Sequence, residues 1–282
     1  MSHPETSRRH FTVLAGGVVV AGLAGCTTTG GGNTSTTPAG NESSTSGTNA
    51  TSTTSTTTGA PQTTSNPAST VANGNAAVRV AHLSPDAPNV DVLVDGQQVL
   101  SRVAFGSVSP YLVLAPGSYH VQVTPAGNHS QTVFDSDVSV DAKAYTAAAL
   151  GEVSGQNHPF GVTIFVDDVT PPSSDTASVR LVHAAPDAPA VDVTVKGANL
   201  TLFDNVSFGQ ASDYASAPAG AHTLEVRAHA PNNDGQVVKT ADVTLSGGTV
   251  DTAFAMGYLS PSKGPANEPF RLTLTTDSSA SG

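Results

Sequence analysis

The stretch RVAHLSPDAPNVDVLVDG, Arg79 to Gly96, returns as RLVHAAPDAPAVDVTVKG, Arg180 to Gly197. A chain that repeats the same His, the same Pro-Asp-Ala-Pro and the same Val-Asp-Val builds one module twice. The correspondence then continues in order. Phe105-Gly106 matches Phe208-Gly209, Tyr111 matches Tyr214, and Ala115-Pro116-Gly117 matches Ala217-Pro218-Ala219-Gly220. Further on, Tyr145-Thr146 through Gly151 matches Asp251-Thr252 through Gly257, and Pro159-Phe160 matches Pro269-Phe270. Between the turn residues, apolar and polar side chains alternate with a period of two, the signature of half-buried strands. The alternation predicts eight strands in copy one, near residues 77–83, 90–95, 98–105, 109–115, 118–124, 132–140, 144–151 and 160–166. It puts Val78 and Val80, and likewise Val90, Val92 and Val94, on a buried face, with Arg79, Asp91 and Asp95 on a wet one. The fold class is all-β, two tandem β-sandwiches over residues 76–171 and 172–282. The short link Thr170 to Ser174, stiffened by Pro171 and Pro172, is expected to set them end to end with limited swing.

Ahead of the repeats the chain changes character. Arg8-Arg9 precede a short, uncharged, Gly-diluted apolar run that ends in Leu23-Ala24-Gly25-Cys26. The pair resembles a twin-arginine (Tat) export signal, and the tetrapeptide resembles a lipobox whose Cys thiol takes a lipid before cleavage. The run is too short to span a bilayer, which needs about 20 apolar residues. Residues 1–26 are therefore read as a signal peptide with lipidation at Cys26, and the protein as extracytoplasmic, held at the outer face of the cytoplasmic membrane by that lipid. Residues 27–75 are rich in Ser, Thr, Gly and Asn with a single charge, Glu42, and read as a disordered stalk. Sequons at Asn33, Asn41, Asn49, Asn128, Asn199 and Asn205 point to a glycoprotein.

Composition excludes several function classes. With 22 Asp and Glu against 11 Lys and Arg the net charge is −11, and no basic stripe offers counterion release to nucleic acid. The acidity, with the lipobox and the Thr-rich stalk, resembles that of haloarchaeal surface lipoproteins. Cys26 is the single cysteine, so the modules have no disulfide, no thiolate metal site and no cysteine nucleophile.

The repeated R-[VL]-[AV]-H-x-[SA]-P-D-A-P-x-V-D-V, followed by F-G and A-P-G, resembles the domain-of-unknown-function family 4397 of exported archaeal and bacterial proteins. Ala184-Ala185 in place of Leu83-Ser84 is a small departure in copy two. The resemblance implies an immunoglobulin-like β-sandwich, often in tandem and at the cell surface, and brings no activity with it.

The recurring polar residues are the candidate site: His82, Asp86 and Asp91 in copy one, His183, Asp187 and Asp192 in copy two. Strand parity turns both imidazoles inward, where a neutral ring can satisfy a turn whose prolines lack N–H donors. Asp86 and Asp187 fit Asx-type turns, and Arg79 with Asp91 or Asp95, and Arg180 with Asp192, fit exposed cross-strand pairs. A His–Asp metal site, His82 with Asp86 and His183 with Asp187, has too few ligands for tight zinc. Calcium on Asp135 with Asp137, Asp167 with Asp168, or Asn232-Asn233-Asp234-Gly235 lacks an EF-hand spacing, and the last reads better as a hairpin turn. No G-x-S-x-G, H-E-x-x-H or phosphate-cradling Gly loop is present. The expectation is a non-enzymatic surface protein without cofactor or metal, whose modules serve adhesion or contact with an envelope protein or glycan. The alternative is a receptor for a small ligand or glycan, and function is sought where the copies differ, as in the loops after Thr124 and Ala228.

Overall fold

The structure, a computed structural model, describes residues 61–198 and 200–280. Arg8, Arg9 and Cys26, the signal peptide, the stalk up to residue 60 and the sequon at Asn199 lie outside the described residues.

Module 1 contains strands β2 (Ala76–His82), β3 (Val90–Val94), β4 (Gln97–Val103), β5 (Tyr111–Leu114), β6 (Gly117–Pro125), β7 (Phe134–Val140), β8 (Ala144–Leu150) and β9 (Gly161–Asp167). These are the eight strands that the alternation predicts, with ends shifted by a residue or two. Module 2 repeats them as β10 (Thr176–Ala184), β11 (Val191–Val195), β12 (Leu200–Val206), β13 (Ala215–Pro218), β14 (Gly220–Ala228), β15 (Val237–Leu245), β16 (Thr249–Met256) and β17 (Arg271–Ser279). Each module is a sandwich of two sheets. One is ordered β5-β2-β8-β9 or β13-β10-β16-β17, the other β4-β3-β6-β7 or β12-β11-β14-β15. Pairing is antiparallel except for β2 with β8 and β10 with β16, which run parallel.

The end of the expected stalk is folded. Thr63–Thr64 (β1) pairs with β5 at the sheet edge, and Pro67–Ala72 forms a short helix (α1). Asn66 caps that helix by accepting from Ser69 N at 2.9 Å, and Pro67 takes the first turn, where its missing N–H costs nothing. Val71 packs on Ala77, Tyr111 and Ala144, so this segment adds to the first sheet of module 1.

Parity assigns the sandwich interior correctly. Val179 and Leu181 of β10, Val191, Val193 and Val195 of β11, and Leu224 and Val226 of β14 lie in one continuous module 2 core. The opposite faces of β2 and β10 are not wet, however. Ala81, Leu83, Ala148 and Leu150 of module 1 form one buried cluster with Val182, Ala184, Phe254 and Met256 of module 2. The modules therefore lie face to face along these two sheets and not end to end, and small alanines let the sheets approach closely.

Polar residues on the same faces close the contact. Arg79 and Arg180, expected on wet faces, are 1% and 2% exposed. Arg79 Nη2 donates to Asp277 of module 2 at 2.6 Å, and Arg180 Nη2 donates to Asp167 of module 1. Arg79 Nε donates to Thr146 at 2.8 Å, and the Thr146 hydroxyl donates in turn to Asp167 at 2.7 Å. Arg180 Nε, Thr252 and Asp277 repeat the arrangement at 3.0 and 2.6 Å. Tyr111 donates to Asp167 at 2.7 Å and lies under Arg79, while Tyr214 donates to Asp277 at 3.1 Å and lies under Arg180. Burial opposes the guanidinium charges, but the facing carboxylates outweigh it and hold both arginines above their ordinary pKa. Each module offers an Arg and receives one, the pattern of an isologous two-fold contact within a single chain. Farther along, Tyr258 donates to buried Glu152 at 2.9 Å, and His158 stacks on Phe208 with ring centres 4.0 Å apart.

The two cores differ in side-chain size. Val80, Val121, Val140, Val162 and Ile164 of module 1 line an apolar cavity of about 60 Å³. Their counterparts by strand register are Leu181, Leu224, Leu245, Leu272 and Leu274, the first four each one methylene larger than the valine they replace and the last isomeric with Ile164.

Two outcomes are expected in urea titrations. Arg79→Met alone strands Asp277 and lowers stability by about 3–5 kcal/mol. Combining it with Asp277→Asn removes both charges, keeps an acceptor for Thr252 and Tyr214, and recovers most of the loss. Val121→Leu with Val140→Leu, each copying module 2, raises stability by about 0.5–2 kcal/mol.

Candidate recognition face of module 2

The motif residues are absorbed by the fold in both copies. His82 and His183 are fully buried, and their Nε2 atoms donate to Pro88 O at 3.0 Å and Pro189 O at 2.9 Å. Burial pushes both imidazoles below the ordinary histidine range, despite those carbonyls, and keeps them neutral. Asp86 accepts from Val153 N and Ser154 N at 2.8 and 2.9 Å, and Asp187 accepts from Leu259 N and Ser260 N, both at 2.8 Å. The Pro-Asp-Ala-Pro turn is thus a latch on the loop after β8 or β16. That loop turns at Gly151 or Gly257, each at positive φ, where a side chain would strike the carbonyl of Pro159 or Pro269. His and Asp do not converge on one point as metal ligands would.

Asp91 and Asp192 are 3% and 0% exposed, so they are not wet-face residues and do not pair with Arg79 or Arg180. Asp91 accepts from Arg102 N at 2.8 Å, Gly127 N at 2.9 Å and His129 Nε2 at 3.0 Å. Asp192 accepts from Asn205 N and His229 Nδ1 at 2.8 Å each, and from Ala230 N at 3.0 Å. Arg102 and Asn205 sit at φ 51° and 52°, at irregularities in β4 and β12 where an N–H leaves the ladder. Each Asp therefore ties an irregular strand to the loop after β6 or β14. Burial alone would raise these carboxyls. The N–H donors and the neighbouring imidazole outweigh it, and both lie below the ordinary carboxylate range.

Module 2 adds groups at this corner that module 1 lacks. Asp204, where module 1 has Ser101, joins Asp192 and His229 with one ligand atom from each within 4.8 Å. This is the one such group of three among the described residues. The Asn233 amide, with its NH2 turned inward, donates to Asp204 at 2.9 Å and Asp192 at 3.3 Å and closes the group with its own hydrogen bonds. The loop after Ala228 is thereby fixed over the outer face of β11, β12 and β14. Between the loop and that face lies a polar pocket of about 240 Å³, walled by Thr194, Thr201, Glu225, Arg227, Asn232 and Asn233. Arg227 is held there by Thr194 at 3.3 Å, Gly235 O at 2.9 Å and Glu225 at 2.5 Å. Of the other carboxylates weighed for calcium, Asp167 is spent in the intermodule contact, while Asp135 and Asp137 flank the His120 ring at 3.1 Å each.

The intermodule network and this pocket are what strand parity misses. The first carried a signal, because Arg, Thr and Tyr recur at matching places in both copies. The second shows only as a difference, Thr194, Glu225 and Arg227 standing where module 1 has Leu93, Gln122 and Thr124.

The family model described as a domain of unknown function (DUF4397) matches residues 76–194 and 177–281. The chain belongs to the DUF4397 family. No curated protein matches it. Among solved structures, CBMbc (family CBM26) from Eubacterium rectale Amy13K, in complex with maltoheptaose, is 10% identical, with 71% of this chain and 96% of that one covered at a TM-score of 0.22. The fimbrial anchor protein Mfa2 from Porphyromonas gingivalis is 9% identical, with 72% and 97% covered at a TM-score of 0.19. Likeness this slight carries nothing over to the DUF4397 tandem.

The titrating groups give the tandem a defined acid profile. A folded-state histidine pKa below the unfolded one stabilises at high pH, and the contribution is lost as pH falls below about 6.5. Depressed Asp91 and Asp192 contribute above about pH 4, and that part is lost as pH falls through their folded values. Urea midpoints measured against pH should fall in two stages. His82→Gln with His183→Gln removes the first stage, and Asp91→Asn with Asp192→Asn flattens the second.

Proposed function

We propose that the protein is a non-enzymatic, lipid-anchored surface protein whose two DUF4397 modules act as one rigid head for adhesion or envelope contact. The observation that carries this reading is the reciprocal pair Arg79–Asp277 and Arg180–Asp167, which welds the sandwiches into a single body. A head of that kind, behind a Tat-type signal with Arg8 and Arg9, a lipobox at Cys26 and a Ser/Thr-rich stalk, suits display beyond a surface layer. The recurring His and Asp residues support the non-enzymatic part, since both His Nε2 atoms and the four Asp carboxylates bond to carbonyls, backbone N–H groups and loop imidazoles of the fold itself. The acidic balance suits a solvated exterior of haloarchaeal type, with sugars on the stalk sequons completing it. The receptor alternative is favoured by the polar pocket of module 2.

Fractionation of expressing cells tests the anchor. The wild-type chain is expected in the membrane fraction, removable by protease added to whole cells. Cys26→Ala should be exported and shed into the medium, and Arg8→Lys with Arg9→Lys should accumulate inside as the unprocessed precursor. Protease protection of the wild-type chain in intact cells would refute surface display.

A further inference from the structure

The geometry points to a binding site for one neutral sugar residue in the pocket on the outer face of module 2. Its walls combine donors and acceptors from Thr194, Thr201, Glu225, Arg227, Asn232 and Asn233. Arg227 and Glu225 neutralise one another at 2.5 Å, so the pocket favours neither an anion nor a cation. Hydroxyl groups, each both donor and acceptor, can satisfy such a set without bringing charge into it. The volume of about 240 Å³ lies under the roughly 300–1,000 Å³ of sites for drug-sized ligands, which fits a single ring and not a buried chain.

The walls are also held in place before any ligand arrives, which lowers the ordering cost of binding. Three hydrogen bonds fix Arg227, and its side chain and that of Glu225 are only 22% and 16% exposed. The roof is fixed by residues below it. Asp192 holds His229 and Ala230, and Asp204 holds Asn233. Asp204 is thus a positioning residue, and it explains why a carboxylate stands where module 1 has Ser101. Module 1 carries Leu93, Gln122 and Thr124 on its corresponding face and lacks the ion pair. The site deepens the display reading by naming what the head would hold, and binding in solution requires neither lipid nor export.

The test uses the full chain bearing Cys26→Ala, with the methyl glycosides of glucose, galactose, mannose and N-acetylglucosamine as probes in saturation-transfer NMR and calorimetry. At least one glycoside should bind with a millimolar Kd. Thr194→Leu with Glu225→Gln installs the residues of module 1 and should weaken that binding at least tenfold with an unchanged melting temperature. Asp204→Ser, which removes no wall of the pocket, should weaken it too by freeing the roof, and covers the case of a double variant that fails to fold. Absence of binding by all four glycosides at tens of millimolar would overturn the site, as would binding that survives both variants. Either result leaves surface display standing, and a failed fractionation experiment leaves the sugar site standing.

Discussion

Two arginines that cross between modules govern the rest of the structure. Arg79 reaches Asp277 and Arg180 reaches Asp167, with Thr146, Thr252, Tyr111 and Tyr214 supplying the remaining hydrogen bonds. Buried charges survive only when so fully met, because either partner alone would be left in a dry interior. The requirement is reciprocal, which fixes the register of one sheet against the other. An apolar contact of alanines, valines and Phe254 could slide; the crossed pairs cannot without stranding a charge. The Thr170 to Ser174 link therefore joins two parts of one body.

That weld changes what each strand face means. A sandwich strand normally buries one face and wets the other, but β2, β8, β10 and β16 are buried on both, one face in their own sandwich and the other against the neighbour. Parallel pairing of β2 with β8 and of β10 with β16 lies at the centre of that contact, in keeping with the rule that parallel strands sit where both faces are covered. The sheets that remain free to face water are β4-β3-β6-β7 and β12-β11-β14-β15, and the polar pocket is on the second of these.

Much of the fold was legible. Alternation located all eight strands of module 1, because each has an apolar interior face whatever lies on the other side. Parity also turned His82 and His183 inward. What alternation could not reveal was the partner of the second face. Arg79 reads as a wet-face residue when only its own module is in view, since nothing local distinguishes a guanidinium that meets water from one that meets Asp277, distant in sequence. Asp91 and Asp192 fail for a related reason. They sit at polar positions of their strands, yet each is sealed by a loop that folds back to donate its N–H groups. Residues 61–75 were misread by composition, because Asn66 and Pro67 are as much helix-start residues as stalk residues.

The repeat itself separates structure from function. Residues that recur, the His, the turn Asp, the Val-Asp-Val Asp and the crossing Arg, each bond to groups inside the protein and serve the same purpose twice, although His82 Nδ1 lacks the partner that Ala185 N gives His183 Nδ1. The groups present once lie outside that shared pattern. Asp204 and Asn233 fix a loop of module 2, and Glu225 with Arg227 puts an ion pair into a concave face where the other copy has Gln122 and Thr124. An ion pair held in a pocket costs solvation that a bare sheet surface would not require. Since the sandwich of module 1 forms without it, the fold shared by the two copies does not require it.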